Sequence, residues 1–65
     1  MTYAERLMTF PFTEEQKAQA MLGVEHGLSE EVILKYFRIE ISAENMAVMR
    51  ELAEGVMKRA NGAGT

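Results

Sequence analysis

Residues 23–29 read Gly23-Val24-Glu25-His26-Gly27-Leu28-Ser29, and within them one helical pattern ends and another begins. Glycine commonly follows the last residue of a helix, because it adopts the left-handed backbone conformation without strain. Serine just before acidic residues is a typical helix N-cap. We therefore predict a tight, helix-turn-helix-like corner, with Gly23, Gly27, Leu28 and Ser29 as its structural residues.

The segment before the corner predicts two helices. Thr13 and Gln16 have the spacing of a capping box, so the second helix is expected to begin there. Its apolar stripe is predicted to contain Ala20, Met21, Val24 and Leu28. A shorter first helix over residues 1–10 is predicted to end before Pro11, because the residue preceding a proline disfavours the helical backbone.

The segment after the corner predicts two more helices. The third follows Ser29 and contains the nearly unbroken apolar run Val32–Phe37. The fourth and longest follows Ser42, with apolar residues recurring at helical spacing as far as Ala60. The sequence thus predicts an all-α fold, a small bundle of three main helices plus a short N-terminal one. We expect a single domain over residues 1–60 and a flexible tail over residues 61–65.

Composition limits the classes of function. The 65 residues include no cysteine, so neither a disulfide nor a thiolate metal site is available. No apolar run approaches the roughly 20 residues of a membrane span, and no basic segment precedes an apolar one at the N-terminus. We therefore expect a cytoplasmic protein that makes no contact with membrane. Ten acidic residues against seven basic ones give a net charge of −3, which argues against nucleic-acid binding.

Residues that could carry catalysis do not form a recognisable site. His26 is the only histidine, whereas a zinc site usually needs three or four His or Cys ligands. The pairs Glu14-Glu15 and Glu30-Glu31 stand at predicted helix starts, where the helix dipole favours acids. Neighbouring helical residues point about 100° apart, so neither pair converges on one point. We expect no enzymatic activity, no cofactor, no metal and no small-molecule substrate.

The two capped helices resemble each other at an offset of 29 residues. Thr13 aligns with Ser42, and Gln16 aligns with Asn45. The other matched pairs are Glu15 with Glu44, Ala18 with Ala47, and Glu25 with Glu54. Both a true helix-pair repeat and shared capping rules account for the similarity, and the two interpretations stay open.

About two thirds of the chain resembles a short helical repeat, roughly 30 residues long, of uncharacterised proteins carried by bacterial mobile elements. The residues that carry the resemblance are Phe12-Thr13-x-Glu15-Gln16, Gly23-Val24-Glu25-x-Gly27-Leu28, Ile33, Tyr36, and Asn45-Met46-x-x-Met49-Arg50. They are packing and capping residues, and Leu52 and Val56 stand where a second copy would have its two glycines. The resemblance implies an accessory or regulatory role in such an element and no catalytic residue.

The apolar run of the third helix is larger than one buried face needs. A domain this small gains stability when it covers such surplus by association. We therefore predict a non-enzymatic protein–protein interaction module, whose partner is either a second copy, giving a homodimer, or another protein. The candidate surface consists of six apolar residues: Val32, Leu34, Tyr36, Phe37, Val48 and Met49.

The alternative is a helix-turn-helix DNA-binding transcriptional regulator, whose third helix would enter the major groove. Its candidate DNA-contacting residues are basic: Lys17, Lys35, Arg38 and Arg50, with Lys58 and Arg59 in support. Glu30 and Glu31 would lead that helix toward the phosphates and repel them. For this reason we rank DNA binding second.

Overall fold

The computed structural model of the chain contains four α-helices. It describes residues 2–63, and the side chains of residues 2–60. The helices are α1 (Tyr3–Thr9), α2 (Glu14–Glu25), α3 (Glu30–Tyr36) and α4 (Ala43–Ala63). No strand occurs among the described residues. The predicted all-α class is confirmed, and three helices after a short N-terminal one agree with the predicted architecture.

The described part of α4 extends beyond residue 60, the predicted end of the domain. The helix continues through residues 61–63, where the sequence predicted the start of a flexible tail. A glycine such as Gly62 weakens a helix by about 1 kcal/mol relative to alanine, which does not by itself stop it. The predicted tail residues 64 and 65 lie outside the described part of the chain.

Helix starts lie where the sequence placed them. The Thr2 and Thr13 hydroxyls each accept a hydrogen bond from the backbone N–H three residues later, at 3.1 Å. In turn, the backbone N–H groups of Thr2 and Thr13 donate to the side-chain oxygens of Glu5 and Gln16 at 2.9 Å. Ser29 caps α3 by accepting from the N–H of Val32 at 3.3 Å. Ser42 plays the same part for α4, accepting from the N–H of Asn45 at 3.2 Å. These caps satisfy backbone donors that a helix start leaves without partners.

The turn between α2 and α3 is a Schellman motif. The N–H of Leu28 donates to the carbonyl of Gly23 at 2.9 Å, and that of Gly27 donates to the carbonyl of Val24 at 3.1 Å. Gly27 has φ +86°, where a β-carbon would be strained, although nothing lies within 4 Å of the space that it would occupy. Gly27 is therefore required by backbone conformation and not by crowding.

Gly23 is required for the opposite reason. A β-carbon on Gly23 would lie 2.3 Å from the Tyr36 hydroxyl and 3.1 Å from Cγ1 of Ile33. The same hydroxyl donates a hydrogen bond to the carbonyl of Gln19 at 2.7 Å. The absence of a side chain at Gly23 thus lets α3 lie directly against the backbone of α2.

The core lies between α2, α3, α4 and the segment that precedes α2. Its buried apolar residues are Phe12, Ala20, Leu28, Ile33, Tyr36, Phe37 and Met46. The rings of Phe12 and Phe37 stack with centroids 3.9 Å apart, and Tyr3 of α1 leans on Phe37 at 5.5 Å. The aromatic contacts therefore join α1 and the segment before α2 to the end of α3.

The inward face of α2 differs from the predicted stripe. Gln16, Ala20 and Gly23 are buried, whereas Met21 and Val24 are more than half exposed. Small residues inside allow α3 and α4 to approach closely, and the buried Gln16 has a specific task. Its amide nitrogen donates to the carbonyl of Ile41 at 2.8 Å, which holds the α3–α4 connection against the start of α2.

Three hydrogen bonds hold α1 against α3. The Arg6 guanidinium donates to the carbonyls of Leu34 at 2.7 Å and Phe37 at 3.1 Å, which lie at the end of α3. The N–H of Tyr3 donates to the Glu30 carboxylate at 2.6 Å. Since an isolated seven-residue helix is unstable in water, these contacts and the Tyr3 ring position α1.

Candidate interaction surface

An exposed apolar stripe runs along α4. Val48, Met49, Leu52 and Val56 recur at intervals of three and four residues, which places them on one side of the helix. Leu52 is 64% exposed and Val56 is 59% exposed. The inward side of the same helix carries Met46, Arg50, Ala53 and Met57. The helix therefore has two apolar faces, and the fold buries only one of them.

The stripe continues onto α3 through a shallow groove of about 260 Å³. Its lining is almost wholly apolar and consists of Val32, Lys35, Tyr36, Met49, Leu52 and Ala53. We call Val32, Val48, Met49, Leu52 and Val56 together the α3–α4 apolar surface. Single exposed apolar residues are common, but a continuous patch is typical of a contact site.

Half of the predicted surface residues belong to this surface, and three do not. Val32, Val48 and Met49 lie on it. Tyr36 and Phe37 are a correction, because both side chains are at most 1% exposed and form the core. Leu34 is half-buried and lines a different groove, beside Arg6 and Arg38. The packing of Phe12 and α1 explains the difference, since it covers the end of the Val32–Phe37 run.

Leu52 and Val56 were not among the predicted surface residues, because both belong to the apolar repeat of the predicted fourth helix. The signal that identifies them is a surplus of apolar residues on α4. Met46, Ala53 and Met57 already complete one inward face at helical spacing, so Leu52 and Val56 must point elsewhere.

A polar cluster centred on Arg50 lies on the other side of α4. Arg50 is 8% exposed, and its guanidinium donates to the Glu54 carboxylate at 2.5 Å and to the side-chain oxygen of Gln19 at 3.0 Å. His26, the C-cap residue of α2, contacts the other Glu54 oxygen through Nδ1 at 2.9 Å. The cluster joins α2 to α4 and leaves no buried side-chain donor or acceptor unpaired among the described residues.

The geometry fixes the proton on the His26 ring. Nδ1 lies 2.9 Å from a carboxylate oxygen and 3.4 Å from an Arg50 nitrogen that can only donate. An ionised carboxylate oxygen can only accept, so the short contact with Glu54 requires a hydrogen on Nδ1. The longer contact with Arg50 is then not a hydrogen bond, because neither nitrogen accepts. Burial of Glu54 opposes its ionisation, but the hydrogen bonds from His26 and Arg50 outweigh that effect and hold the pKa of Glu54 below its usual value.

The polar cluster contains one imidazole and one carboxylate, those of His26 and Glu54, beside the Arg50 guanidinium. Among the described residues, no group of three or more His, Asp or Glu side chains could hold a metal ion. Beside His26 and Glu54, a groove of about 380 Å³ is completed by Met57 and Lys58. The hydrogen bonds of the cluster join α2 to α4.

The four basic residues named for DNA contact differ in their surroundings. Arg50 faces inward, in the polar cluster. Arg38 and Lys17 are paired with neighbouring acids, at 2.7 Å to Glu40 and 3.4 Å to Glu14. Lys35, on α3, is the one of these four residues that forms no ion pair with another described residue.

Comparison with protein-family models, with curated proteins and with solved structures gives no match. None of the described helices is both long enough and apolar enough to cross a bilayer.

Proposed function

We propose that this chain is a non-enzymatic protein–protein interaction module, which binds an apolar helix of its partner on the α3–α4 apolar surface. The observation that carries the proposal is the exposure of Leu52 and Val56 beside Val48 and Met49, in one stripe next to an apolar groove. Helices commonly bind such grooves through apolar residues spaced three and four apart.

The described charges are consistent with this role. The exposed ionisable residues of α4 lie at the ends or along the edge of the apolar stripe. Arg50 and Glu54 instead bind each other in the polar cluster. An apolar centre with a charged rim is the usual arrangement of a protein interface. A cytoplasmic location, and an accessory role in a mobile element as the helical-repeat resemblance implies, are parts of the same proposal.

A pull-down with matched variants tests the proposal. The tagged full chain, Leu52→Glu and Val24→Glu are each incubated with a lysate of the cells that express the protein. Both substitutions put a carboxylate at an exposed apolar position, but Val24 lies on α2, outside the surface. We expect a protein that the wild type and Val24→Glu retain and Leu52→Glu loses. Identical retention by all three would refute the proposal.

The alternative is a helix-turn-helix DNA-binding regulator. Its support is the glycine-containing corner at residues 23–29 between α2 and α3. Against it stand the two acids at the start of α3 and the inward position of Arg50. Titrating duplex DNA into labelled protein at low salt discriminates the two functions. Shifts of the amide signals of α3 would favour the regulator, and we expect none.

A further inference from the structure

Gly55 lies in the middle of α4 and has no role within the described fold. A β-carbon there would meet nothing within 4 Å, and the residue is not in the left-handed region. Glycine in a helix interior lowers helix stability relative to alanine. At 100° per residue, Gly55 lies on the outward side of α4, next to Val48 and Leu52. Glycine at such a position lets the backbone of another helix approach closely.

The exposed charges of α4 are divided along its length. Glu44 and Glu51 lie in the N-terminal half, and Lys58 and Arg59 lie in the C-terminal half. The two remaining ionisable residues of the helix, Arg50 and Glu54, are bound in the polar cluster. Two such helices side by side attract each other when they run antiparallel, and they repel each other when they run parallel.

From these two observations we infer that the occupant of the α3–α4 apolar surface is a second copy of this chain, paired antiparallel along α4. Leu52 of each copy lies over Gly55 of the other. This register sets Val48 opposite the partner's Arg59, so that Glu44 and Glu51 flank that guanidinium within about one turn on either side. The interface is isologous and closes as a dimer. The inference rests on the proposed function and specifies its partner.

Sedimentation equilibrium of the full chain, from low micromolar to several hundred micromolar, tests the pairing. We expect a monomer–dimer equilibrium. Gly55→Leu should weaken the dimer at least about tenfold, because a side chain replaces the notch at the interface centre. Leu52→Glu should weaken it as much, and Val24→Glu should leave it unchanged. Circular dichroism of each variant establishes that the helices remain, since positions 52 and 55 have open space around them.

Cross-linking determines the orientation, because the chain has no cysteine of its own. Val48→Cys and Arg59→Cys are prepared separately, mixed and oxidised. In the antiparallel register the two new thiols face each other, whereas the two copies of position 48 lie about 16 Å apart along the helix. A disulfide requires Cα atoms within about 7 Å, so the mixed product should dominate. Predominant same-residue products would overturn the antiparallel arrangement.

The outcomes separate this inference from the proposed function. A wild-type monomer at every concentration overturns the second-copy inference. If Leu52→Glu still loses a partner in the pull-down, the proposed function stands with a different protein as occupant. A monomer whose pull-down is insensitive to Leu52→Glu overturns both. Equal dimerisation by Gly55→Leu and wild type overturns the proposed contact at Gly55.

Discussion

Replacing Gly23 with alanine should destabilise the domain far more than its single added carbon suggests. The new β-carbon would lie 2.3 Å from the Tyr36 hydroxyl, so that hydroxyl must move by more than 1 Å to reach an ordinary contact distance. It cannot move freely, because the Tyr36 side chain is 1% exposed and its hydroxyl is bonded to the Gln19 carbonyl. The added β-carbon therefore clashes with a side chain that the core and a hydrogen bond hold in place.

The size of the effect follows from three contributions. Overpacking a core costs about 1–3 kcal/mol. Loss of the Tyr36–Gln19 hydrogen bond costs about 1 kcal/mol more. The better helix propensity of alanine returns at most about 1 kcal/mol. The expected loss is about 2 kcal/mol, which in a domain of this size lowers the melting temperature by roughly 8–16 °C.

The assay is thermal and urea unfolding followed by circular dichroism, at low protein concentration. Gly55→Ala is the matched control, because its β-carbon enters open space. That variant should be stabilised by up to about 1 kcal/mol. A double-mutant cycle with Tyr36→Phe, which removes the clashing oxygen, should show coupling of at least about 1 kcal/mol. Wild-type stability of Gly23→Ala, or zero coupling, would refute the close approach of α3 to α2.

Three further predictions concern single residues. Gly27→Ala should cost about 1–2 kcal/mol in urea unfolding because φ is +86°, and Gly27→Asn should cost less, since asparagine tolerates that conformation; equal costs would contradict the Schellman assignment. The pKa of Glu54 lies below its ordinary value of 4.5. The ionised Glu54 therefore contributes fully to stability above pH 4.5, and this contribution is lost as falling pH protonates the carboxylate. Glu54→Gln should flatten the acid limb of a stability–pH curve, and an unchanged limb would count against the polar cluster. Burial raises the pKa of Tyr36 from 10.0 to about 12, despite the attraction of Arg50. The free energy of unfolding should therefore fall as pH rises from 10 toward 12, and Tyr36→Phe should remove that fall. The absorbance of ionised tyrosine in the wild type follows the titration.

Features decided by neighbouring residues were predictable from the sequence. The caps Thr13 and Ser29 and the positive φ of Gly27 depend on contacts within four or five residues, and each lies where the pattern placed it. The same holds for the overall helix order. Short-range hydrogen bonds impose these choices regardless of what packs against the helix.

The orientation of each helix about its axis was not predictable in the same way. Met21 and Val24 were expected inside, but the buried side of α2 carries Gln16 and Gly23 instead. That choice depends on Tyr36 and Ile41, which are distant in sequence and require a small residue and an amide opposite them. Likewise, the burial of Phe37 depends on stacking against Phe12, so the Val32–Phe37 run could not reveal which of its residues remain exposed.

The distribution of residues on α4 favours the proposed interface over incidental exposure. Arg50 is buried at the inward face, while Leu52 is left 64% exposed two residues later. Burying a charged pair such as Arg50 with Glu54 adds little stability, because desolvation offsets much of the attraction, whereas burying a leucine contributes about 2 kcal/mol. A monomer selected for its own stability would gain by the reverse arrangement. The proposed partner contact would account for the exposed stripe, and Gly55 lies beside that stripe with open space around it.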